Sequence, residues 1–369
     1  MKIFVSAGEV SGDVHGAYLI NELKRQKPGL QFFGVGSDNL AAAGARIDFD
    51  ISRRGTIGII EALPNILPIF SVYQQLKKLL LKEKPDLAIL IDSQGFNVPL
   101  ARFCRRHKIK TVYYIAPQEW LWGTVQKVKA LANLIDKIIA IFPPEYSAYK
   151  SAGANVSYFG HPLIDIVTSR ATAIPGRIAL CPGSRTQELK VMLPILLQAA
   201  MIIQKRSPNC EFVIPAANSR ILAAINSYIN QSSIKPKRLI ISDKNRYDLL
   251  VSSELAICTS GTINLEASLL GVPNIMAYKL SWLTYFIGKY LLHIDRKIKY
   301  FSMPNILLGR LVVPELVMDE ATPEKIARQA DGILADAALK KTMLSSFAEL
   351  RTLLGSPGVI SKAATEILR

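Results

Sequence analysis

Short apolar runs alternate with longer amphipathic segments along most of the chain. The runs at Leu87–Ile91 and at residues 255–257 are almost wholly apolar, as expected of parallel strands that are buried on both faces. Each run is followed by a short turn and then by a helical pattern. The same order recurs over residues 2–159 and again over residues 178–275. The pattern predicts an α/β protein in which the alternation is built twice.

One polar stretch, residues 168–177, interrupts the alternation and contains Pro175 and Gly176. Because a chain of 369 residues is long enough for two domains, we interpret this stretch as a linker. We expect an N-terminal Rossmann-like domain over residues 1–167 and a C-terminal one over residues 168–345. Residues 346–369 are expected to form helices that cross back to the N-terminal domain.

The charge of the chain favours anionic partners, since the formal net charge is +16. The basic residues are scattered and match no RNA-binding signature, so we expect no nucleic-acid partner. The four cysteines are isolated and have no metal-type spacing, which is typical of a reduced, cytoplasmic protein without a metal site.

Membrane attachment without a spanning helix is one interpretation of residues 63–81. This segment is rich in Ile, Leu, Val and Phe but carries Pro64, Pro68, Lys77 and Lys78, and no stretch of the chain reaches 18 uninterrupted apolar residues. No signal peptide is expected at the start of the chain. The segment is either an interfacial helix or a core helix of the first domain.

Two turns in the second half have the composition of phosphate-binding turns. Each follows an apolar strand and precedes a helix, whose free N–H groups and dipole favour an anion. The first turn contains Gly183, Ser184 and Arg185, with Glu188 one helical turn later. The second contains Ser260, Gly261 and Thr262, with Glu266 at the same spacing, where a carboxylate can accept hydrogen bonds from ribose hydroxyls. The alternative is a pair of ordinary capped helices.

Carboxylates follow two strands of the first half. Asp92 stands at the end of an apolar strand, where open α/β sheets bind ligands, and it can act as a base or cap the next helix. Glu9 lies in the glycine-rich loop after the first strand, a loop whose spacing does not match a dinucleotide fingerprint. That loop is interpreted as a sugar-binding or interdomain segment, although Ser11 or Asp13 could simply cap the first helix.

Seven motifs that occur in order along the chain together resemble lipid-A-disaccharide synthases, which are GT-B glycosyltransferases of family 19. The motifs are residues 6–13 (SAGEVSGD), 91–97 (IDSQGFN), 120–122 (WLW), 159–162 (FGHP), 182–188 (PGSRTQE), 259–266 (TSGTINLE) and 303–310 (MPNILLGR). Two positions depart from the family pattern. Gln94 stands where a proline is common, and Gly123 stands where an arginine commonly follows the second tryptophan.

The resemblance implies a GT-B fold, with two doubly wound Rossmann-like domains facing a central cleft. It also implies transfer of 2,3-diacylglucosamine from its UDP donor to 2,3-diacylglucosamine 1-phosphate (lipid X), with inversion and without a metal or other cofactor. The implied setting is the cytoplasmic face of the inner membrane, with peripheral attachment, and a homodimer is compatible with it.

Site residues follow from the motifs. Asp92 is the implied base, and Glu9 is its orienting partner or its rival. The implied substrate and nucleotide ligands are Ser11, Asn97, Trp122, His161, Gly183, Ser184, Arg185, Glu188, Ser260, Gly261, Thr262, Glu266 and Asn305. The alternatives are another GT-B enzyme that acts on a UDP-GlcNAc donor, such as an epimerase or a MurG-like transferase, and a non-catalytic protein that binds nucleotide sugars or lipids.

Overall fold

The computed structural model describes residues 1–51, 66–279 and 299–369. These residues form two compact units, each with one parallel sheet and flanking helices. The first unit comprises Met1–Ile166 together with Leu353–Arg369, and the second comprises Val167–Thr352. The chain therefore leaves the first unit once and returns to it with its last helix.

The sheet of the first unit has seven parallel strands in the order β3-β2-β1-β4-β5-β6-β7. Its strands are β1 (Lys2–Ala7), β2 (Gln31–Val35), β3 (Ala45–Phe49), β4 (Leu87–Ile91), β5 (Lys110–Tyr114), β6 (Lys137–Ala140) and β7 (Val156–Tyr158). The central strands are fully buried because their side chains are apolar in both directions, as in Leu87–Ile91.

Nine helices of this unit lie in the described residues, in chain order. They are α1 (Val10–Gln26), α2 (Asp38–Ala42), α3 (Ile66–Glu83), α4 (Gln94–Arg106), α5 (Glu119–Trp122), α6 (Val125–Leu134), α7 (Pro143–Ser151), α8 (Leu163–Ile166) and, at the end of the chain, α16 (Val359–Leu368). Right-handed crossovers that run in opposite directions from the middle of a sheet place their helices on opposite faces. Helices α3, α4 and α6 accordingly share one core cluster, and α1 packs against α16 outside that cluster.

The sheet of the second unit has six parallel strands in the order β10-β9-β8-β11-β12-β13. They are β8 (Arg177–Cys181), β9 (Glu211–Pro215), β10 (Leu239–Ser242), β11 (Leu255–Cys258), β12 (Asn274–Tyr278) and β13 (Glu315–Val317). The helices are α9 (Thr186–Arg206), α10 (Ser219–Gln231), α11 (Arg246–Val251), α12 (Thr262–Leu269), α13 (Met303–Leu308), α14 (Pro323–Ala335) and α15 (Ala337–Leu353), with a 3-10 turn at Met318–Glu320.

One helix in the described part of the chain, Thr186–Arg206, is long and apolar enough to cross a membrane by length and composition, and half of the tested window is buried inside the fold. Leu193, Leu196 and Ile203 of this helix belong to the main core cluster of the second unit. A core helix passes the same test of length and hydropathy, so the finding is weak evidence for a span.

Candidate active site

Glu9 and Asp92, the two carboxylates predicted as site residues in the first half, follow neighbouring strands of the first sheet. Strand order reverses between β1 and β4, which pair in register from Ile3 with Leu87 to Ala7 with Ile91. Open α/β sheets bind ligands outside the carboxyl ends of their strands at such a reversal. Glu9 follows β1 and Asp92 follows β4, so the fold brings both to the reversal point. Ser11 lies in the first turn of α1 at the same edge.

The backbone at Asp92 is in an unusual conformation that the surrounding structure holds in place. Asp92 and Ser93 both have left-handed backbone angles, with φ of 49° and 47°. The Asp92 carbonyl accepts hydrogen bonds from the Tyr113 hydroxyl at 2.7 Å and from the Asn97 amide at 2.9 Å. The Asp92 N–H donates to Ile115 O at 3.1 Å. Such left-handed residues cluster at functional sites, where neighbouring contacts offset the strain.

Asn97 holds this turn from inside the protein. Its side chain is fully buried, its amide nitrogen donates to Ile91 O at 3.0 Å as well as to Asp92 O, and its oxygen accepts from the Ser6 hydroxyl at 2.6 Å. These bonds join the ends of β1 and β4. These contacts of Asn97 are all with the protein, and the substrate contact implied by the resemblance stays a prediction.

The two departures from the family pattern meet at a single carboxylate. The Gln94 amide donates to Glu119 Oε1, and a Cβ atom placed on Gly123 would lie 1.7 Å from Glu119 Oε2. Glu119 is buried and begins α5, whose last residue is Trp122. Gly123 thus leaves room for the Glu119 carboxylate, to which Gln94 donates. The two departures from the family pattern therefore contact the same side chain.

A second buried carboxyl group, Glu145, lies at the same edge of the sheet. Its Oε2 accepts hydrogen bonds from the N–H groups of Ile141 and Phe142 at 2.8 and 3.1 Å. Its Oε1 is buried and has no hydrogen-bond partner in the described part of the chain. Burial raises the pKa of Glu145 to about 8, against the effect of the backbone N–H groups, and the charge of Asp92 adds to the increase.

His161 is buried against Phe142, the residue before α7. Its Nδ1 accepts a hydrogen bond from the Leu163 N–H at 3.1 Å, and its ring lies 5.0 Å from the Phe142 ring. Burial, together with the neighbouring His15, holds the pKa of His161 well below its usual range. These contacts hold the turn before α8, and the ligand role implied by the resemblance stays a prediction.

The two phosphate-type turns also lie at a reversal of strand order, in the second sheet. Strands β8 and β11 are neighbours at this reversal, and Cys181 pairs in register with Cys258 at their ends. The turn containing Gly183, Ser184 and Arg185 follows β8, and the turn containing Ser260, Gly261 and Thr262 follows β11. The fold therefore brings together two turns that are 75 positions apart in the sequence, from Arg185 to Ser260.

The helix that follows each turn begins toward the ligand side of the sheet. Gly261 and Thr262 are exposed at the start of α12, and nothing lies within 4 Å of a Cβ placed on Gly261. At the start of α9, Glu188 Oε2 accepts hydrogen bonds from the N–H groups of Ser184 and Arg185 at 3.0 and 3.3 Å. Gly183 has φ of 111°, and its Cβ would lie 2.5 Å from Glu188 Oε2. Glu188 therefore shapes its turn as a cap.

Glu266 and Asn305 are the two remaining residues of the nucleotide prediction. Glu266 Oε2 accepts a hydrogen bond from Arg246 Nη2 in an ion pair. Asn305 is fully buried, its nitrogen donates to Val313 O at 2.7 Å, and its oxygen accepts from Val312 N at 2.7 Å. Asn305 thus holds the chain that leads into β13, and its contact with the nucleotide stays a prediction.

Several residues at these edges carried no signal in the sequence. Arg246, Glu145 and Tyr113 belong to no motif. Arg246 and Tyr113 gain their places through hydrogen bonds with another segment, whereas the hydrogen bonds of Glu145 are local. In the described ranges, no three or more His, Cys, Asp or Glu side chains are grouped closely enough to hold a metal ion.

Comparison with solved structures supports the two-domain α/β fold. The UDP-GlcNAc 2-epimerase of Neisseria meningitidis, solved with UDP-GlcNAc, aligns with a TM-score of 0.64 at 14% identity, over 100% of this chain and 98% of that one. MurG of Acinetobacter baumannii aligns with a TM-score of 0.56 at 15% identity, over 100% and 99%. At this identity the likeness concerns the fold, which is the GT-B fold that the sequence predicted.

Comparison with protein families and curated proteins identifies the family. The family model described as lipid-A-disaccharide synthetase matches residues 3–356. The lipid-A-disaccharide synthase of Geobacter metallireducens is 36% identical over 378 residues, which cover 100% of this chain and 96% of the relative. That of Gloeothece citriformis is 37% identical over 386 residues, which cover 100% and 99%. The resemblance seen in the motifs is confirmed: the chain belongs to the lipid-A-disaccharide synthetase family and is a glycosyltransferase of the GT-B fold.

Proposed function

We propose that this enzyme transfers 2,3-diacylglucosamine from its UDP donor to the 6-hydroxyl of lipid X. The products are a β-1,6-linked disaccharide 1-phosphate and UDP. An α-linked donor that gives a β-linked product requires inversion, and a single in-line displacement achieves it. Such a displacement needs one base for the acceptor hydroxyl and one set of donors for the charge that develops on the leaving diphosphate.

The second unit supplies the diphosphate donors in this proposal. The N–H groups at the start of α12 and the hydroxyls of Ser260 and Thr262 donate to the diphosphate, at a turn where Gly261 and Thr262 are exposed. Arg185, in the neighbouring turn, adds a guanidinium that can donate to two phosphate oxygens. Glu266 accepts hydrogen bonds from the ribose. With these groups in place, negative charge on the leaving UDP is stabilised without a metal ion.

The first unit supplies the base. Asp92 removes the proton of the acceptor hydroxyl, and Glu9, across the reversal point between β1 and β4, orients it or competes for the same task. The observation that carries the proposal is the position of these residues. The base candidates lie at the reversal of one sheet and the donor turns at the reversal of the other, as ligand sites of α/β sheets do.

The reaction is tested by incubating the purified protein with UDP-2,3-diacylglucosamine and lipid X. Mass spectrometry is expected to detect the tetra-acylated disaccharide 1-phosphate, and NMR of the product is expected to show a β-1,6 linkage. An α linkage would overturn the inverting mechanism. Release of UDP and free sugar without disaccharide would overturn the assignment of the acceptor.

We also propose that the first unit attaches to the cytoplasmic face of an anionic inner membrane. Helices α3, α4 and α6 form one layer over the sheet, and the Tyr73 hydroxyl of α3 donates to Pro99 O of α4 at 2.9 Å. The layer carries eight basic side chains and one acidic one, Glu83, which pairs with Lys2 and Arg46. The basic residues are Lys77, Lys78, Lys82, Arg102, Arg105, Arg106, Lys127 and Lys129.

Exposed apolar side chains accompany this charge. Phe70 is 58% exposed and Leu81 48% exposed on α3, and Val125 is 67% exposed on α6. Basic side chains attract anionic headgroups, and apolar side chains between them can enter the headgroup boundary. Since both substrates carry acyl chains, such a surface keeps the enzyme where its substrates are.

A further inference from the structure

A buried ion pair lies beside the proposed ribose site. Arg246 is the first residue of α11 and Glu266 is in α12, and the two helices share a core cluster through Leu250 and Ala267. The Arg246 and Glu266 side chains are 22% and 7% exposed. Arg246 Cζ also lies 5.1 Å from the centre of the Tyr247 ring, which limits the orientation of the guanidinium.

The pair is hard to explain by stability alone. A positive side chain at the first position of a helix interacts unfavourably with the helix dipole. Burying two charges removes their hydration, and this cost can exceed the attraction between them. Apolar side chains of similar volume would fill the same space between α11 and α12. Packing alone therefore does not explain why charged side chains occupy these two positions.

The geometry leaves one face of the pair for a ligand. Arg246 binds only Oε2 of Glu266, and Oε1 makes no hydrogen bond with the described residues. The Nε–H of Arg246 is buried and has no acceptor among those residues. A ligand with adjacent hydroxyl groups can donate to Oε1, the carboxylate oxygen that Arg246 leaves unpaired.

We propose that Arg246 is a positioning residue for the donor nucleotide. It holds the Glu266 carboxylate in an orientation in which Oε1 accepts hydrogen bonds from the ribose hydroxyls. This inference rests on the proposed role of Glu266 in ribose binding. It adds a residue that lies outside every motif of the chain and that sets the preference for a ribose with both hydroxyls.

The test compares the affinities for UDP and for 2′,3′-dideoxy-UDP by calorimetry. The ratio of the two affinities reports the ribose hydroxyls alone, since both ligands carry the same base and diphosphate. Arg246→Met is expected to lower this ratio by about ten- to a hundred-fold, the range for losing a hydrogen bond to a charged group, while the affinity for dideoxy-UDP changes little. Glu266→Ala should lower the ratio to a similar extent.

Arg177→Met is the matched control for lost stability. Arg177 forms an ion pair with Glu211 in the same unit at 2.6 Å, with side chains 14% and 28% exposed, but it stands at the amino end of β8, at the opposite edge of the sheet. Its loss should lower the melting temperature as the loss of Arg246 does. The ratio of affinities should stay at the wild-type value, because the site is at the other edge.

The outcomes separate this inference from the proposed function. If Glu266→Ala lowers the ratio and Arg246→Met does not, the role of Arg246 is overturned and the ribose contact stands. If Glu266→Ala leaves the ratio unchanged, the ribose contact itself is overturned, and the role of Arg246 with it. If Arg246→Met fails to fold, the same ratio of affinities is measured on Arg246→Lys. It keeps the charge but lacks the planar guanidinium, so an unchanged ratio would count against the inference.

Discussion

Asp92 and Ser93 adopt two consecutive left-handed conformations, each of which costs about 1–3 kcal/mol for a residue other than glycine. The hydrogen bonds from Asn97 and Tyr113 to the Asp92 carbonyl offset this cost and hold the Asp92 backbone in place. At the scale of single residues, the backbone of the proposed base is thus held by buried side chains.

Asn97→Ala should therefore reduce turnover as well as stability. The change leaves the buried carbonyl of Ile91 and the Ser6 hydroxyl without this partner, at about 1–3 kcal/mol for each unsatisfied group. Asn274→Ala is the matched control, because Asn274 is equally buried and hydrogen-bonded but lies at the start of β12. Steady-state kinetics with urea unfolding should show both variants destabilised and only Asn97→Ala slowed. Equal turnover in the two would contradict a role for Asn97 in positioning Asp92.

The buried Glu145 should make stability depend on pH. Its folded pKa of about 8 lies above the ordinary value of 4.5, so the folded protein binds the proton more tightly than the unfolded chain. The stability that this provides is complete below about pH 4.5 and is lost as the pH rises through 8. Glu145→Gln cannot ionise, so its advantage over the wild type should grow from pH 5 to pH 9. Unfolding curves that shift in parallel in both proteins would argue against a raised pKa.

The site could be predicted from the sequence only where residues are close along the chain. The order of strand, turn and helix along the chain predicts the turns at Gly183 and Gly261 and the strand-end position of Asp92. The fold places these residues at the points where strand order reverses. The pairing of Arg246 with Glu266 depends on two helices packing together, and the hydrogen bonds of the buried Asn97 and Asn305 side chains depend on the tertiary fold. Side-chain partners across elements leave no periodic trace in a sequence.

At the scale of elements, α3 shows why residues 63–81 allowed two interpretations. Leu76 and Leu80 are fully buried in the core, and Ile69 packs against the same cluster, whereas Phe70 is 58% exposed. The helix has one core face and one outer face, and both carry apolar residues. The sequence was therefore compatible with a core helix and with an interfacial helix. The part of the segment at residues 63–65 lies outside the described residues.

The neighbouring residues Ile69 and Phe70 provide a direct test of the membrane proposal. Phe70→Ser should weaken flotation with anionic liposomes and leave the melting temperature unchanged, because the side chain faces outward. Ile69→Ser should lower the melting temperature and leave the flotation of the folded protein unchanged. High salt should weaken attachment of all three proteins, since surface attraction is screened within about 8–10 Å at physiological ionic strength. Wild-type protein that never floats would reject the proposal.

Strand prediction succeeded where burial is complete and was uneven at the edges of the sheets. Leu87–Ile91 was predicted with its observed bounds because every residue is apolar. Of the four edge strands, β7 (Val156–Tyr158) and β10 (Leu239–Ser242) were predicted to within one residue. The other two, β3 (Ala45–Phe49) and β13 (Glu315–Val317), were missed, since their side chains are mostly half-buried and their sequences carry charge. An edge strand has a neighbour on one side only, and its composition resembles that of a loop.

At the scale of the whole molecule, the chain crosses between its two units twice. The first crossing follows Ile166, one residue before the expected boundary, and the second is at Leu353, against an expected 346. Helix α16 then packs on α1, and the Asp165 carboxylate accepts hydrogen bonds from Gly358 N and Ile360 N at 2.7 and 2.8 Å. The α15 helix runs up to this second crossing, so the helical pattern alone did not mark the boundary.

We expect the enzyme to transfer the sugar without a metal ion. Stabilisation of the diphosphate by helix N-termini and Arg185 leaves no step that a divalent cation must perform. Activity should therefore survive an excess of EDTA, measured as disaccharide formed per minute before and after dialysis against the chelator. Loss of activity that Mg²⁺ or Mn²⁺ restores would show that the donor groups named here are insufficient.

The most direct test of the central claim is a single-turnover measurement on Asp92→Asn. With enzyme in excess over UDP-2,3-diacylglucosamine and lipid X, mass spectrometry follows disaccharide formation, and calorimetry measures UDP affinity in parallel. The account predicts that the rate falls by about 10²–10⁴-fold, the usual contribution of a general base, while UDP affinity stays at the wild-type value. A rate close to that of the wild type would contradict the assignment of Asp92 as the base and transfer that role to Glu9.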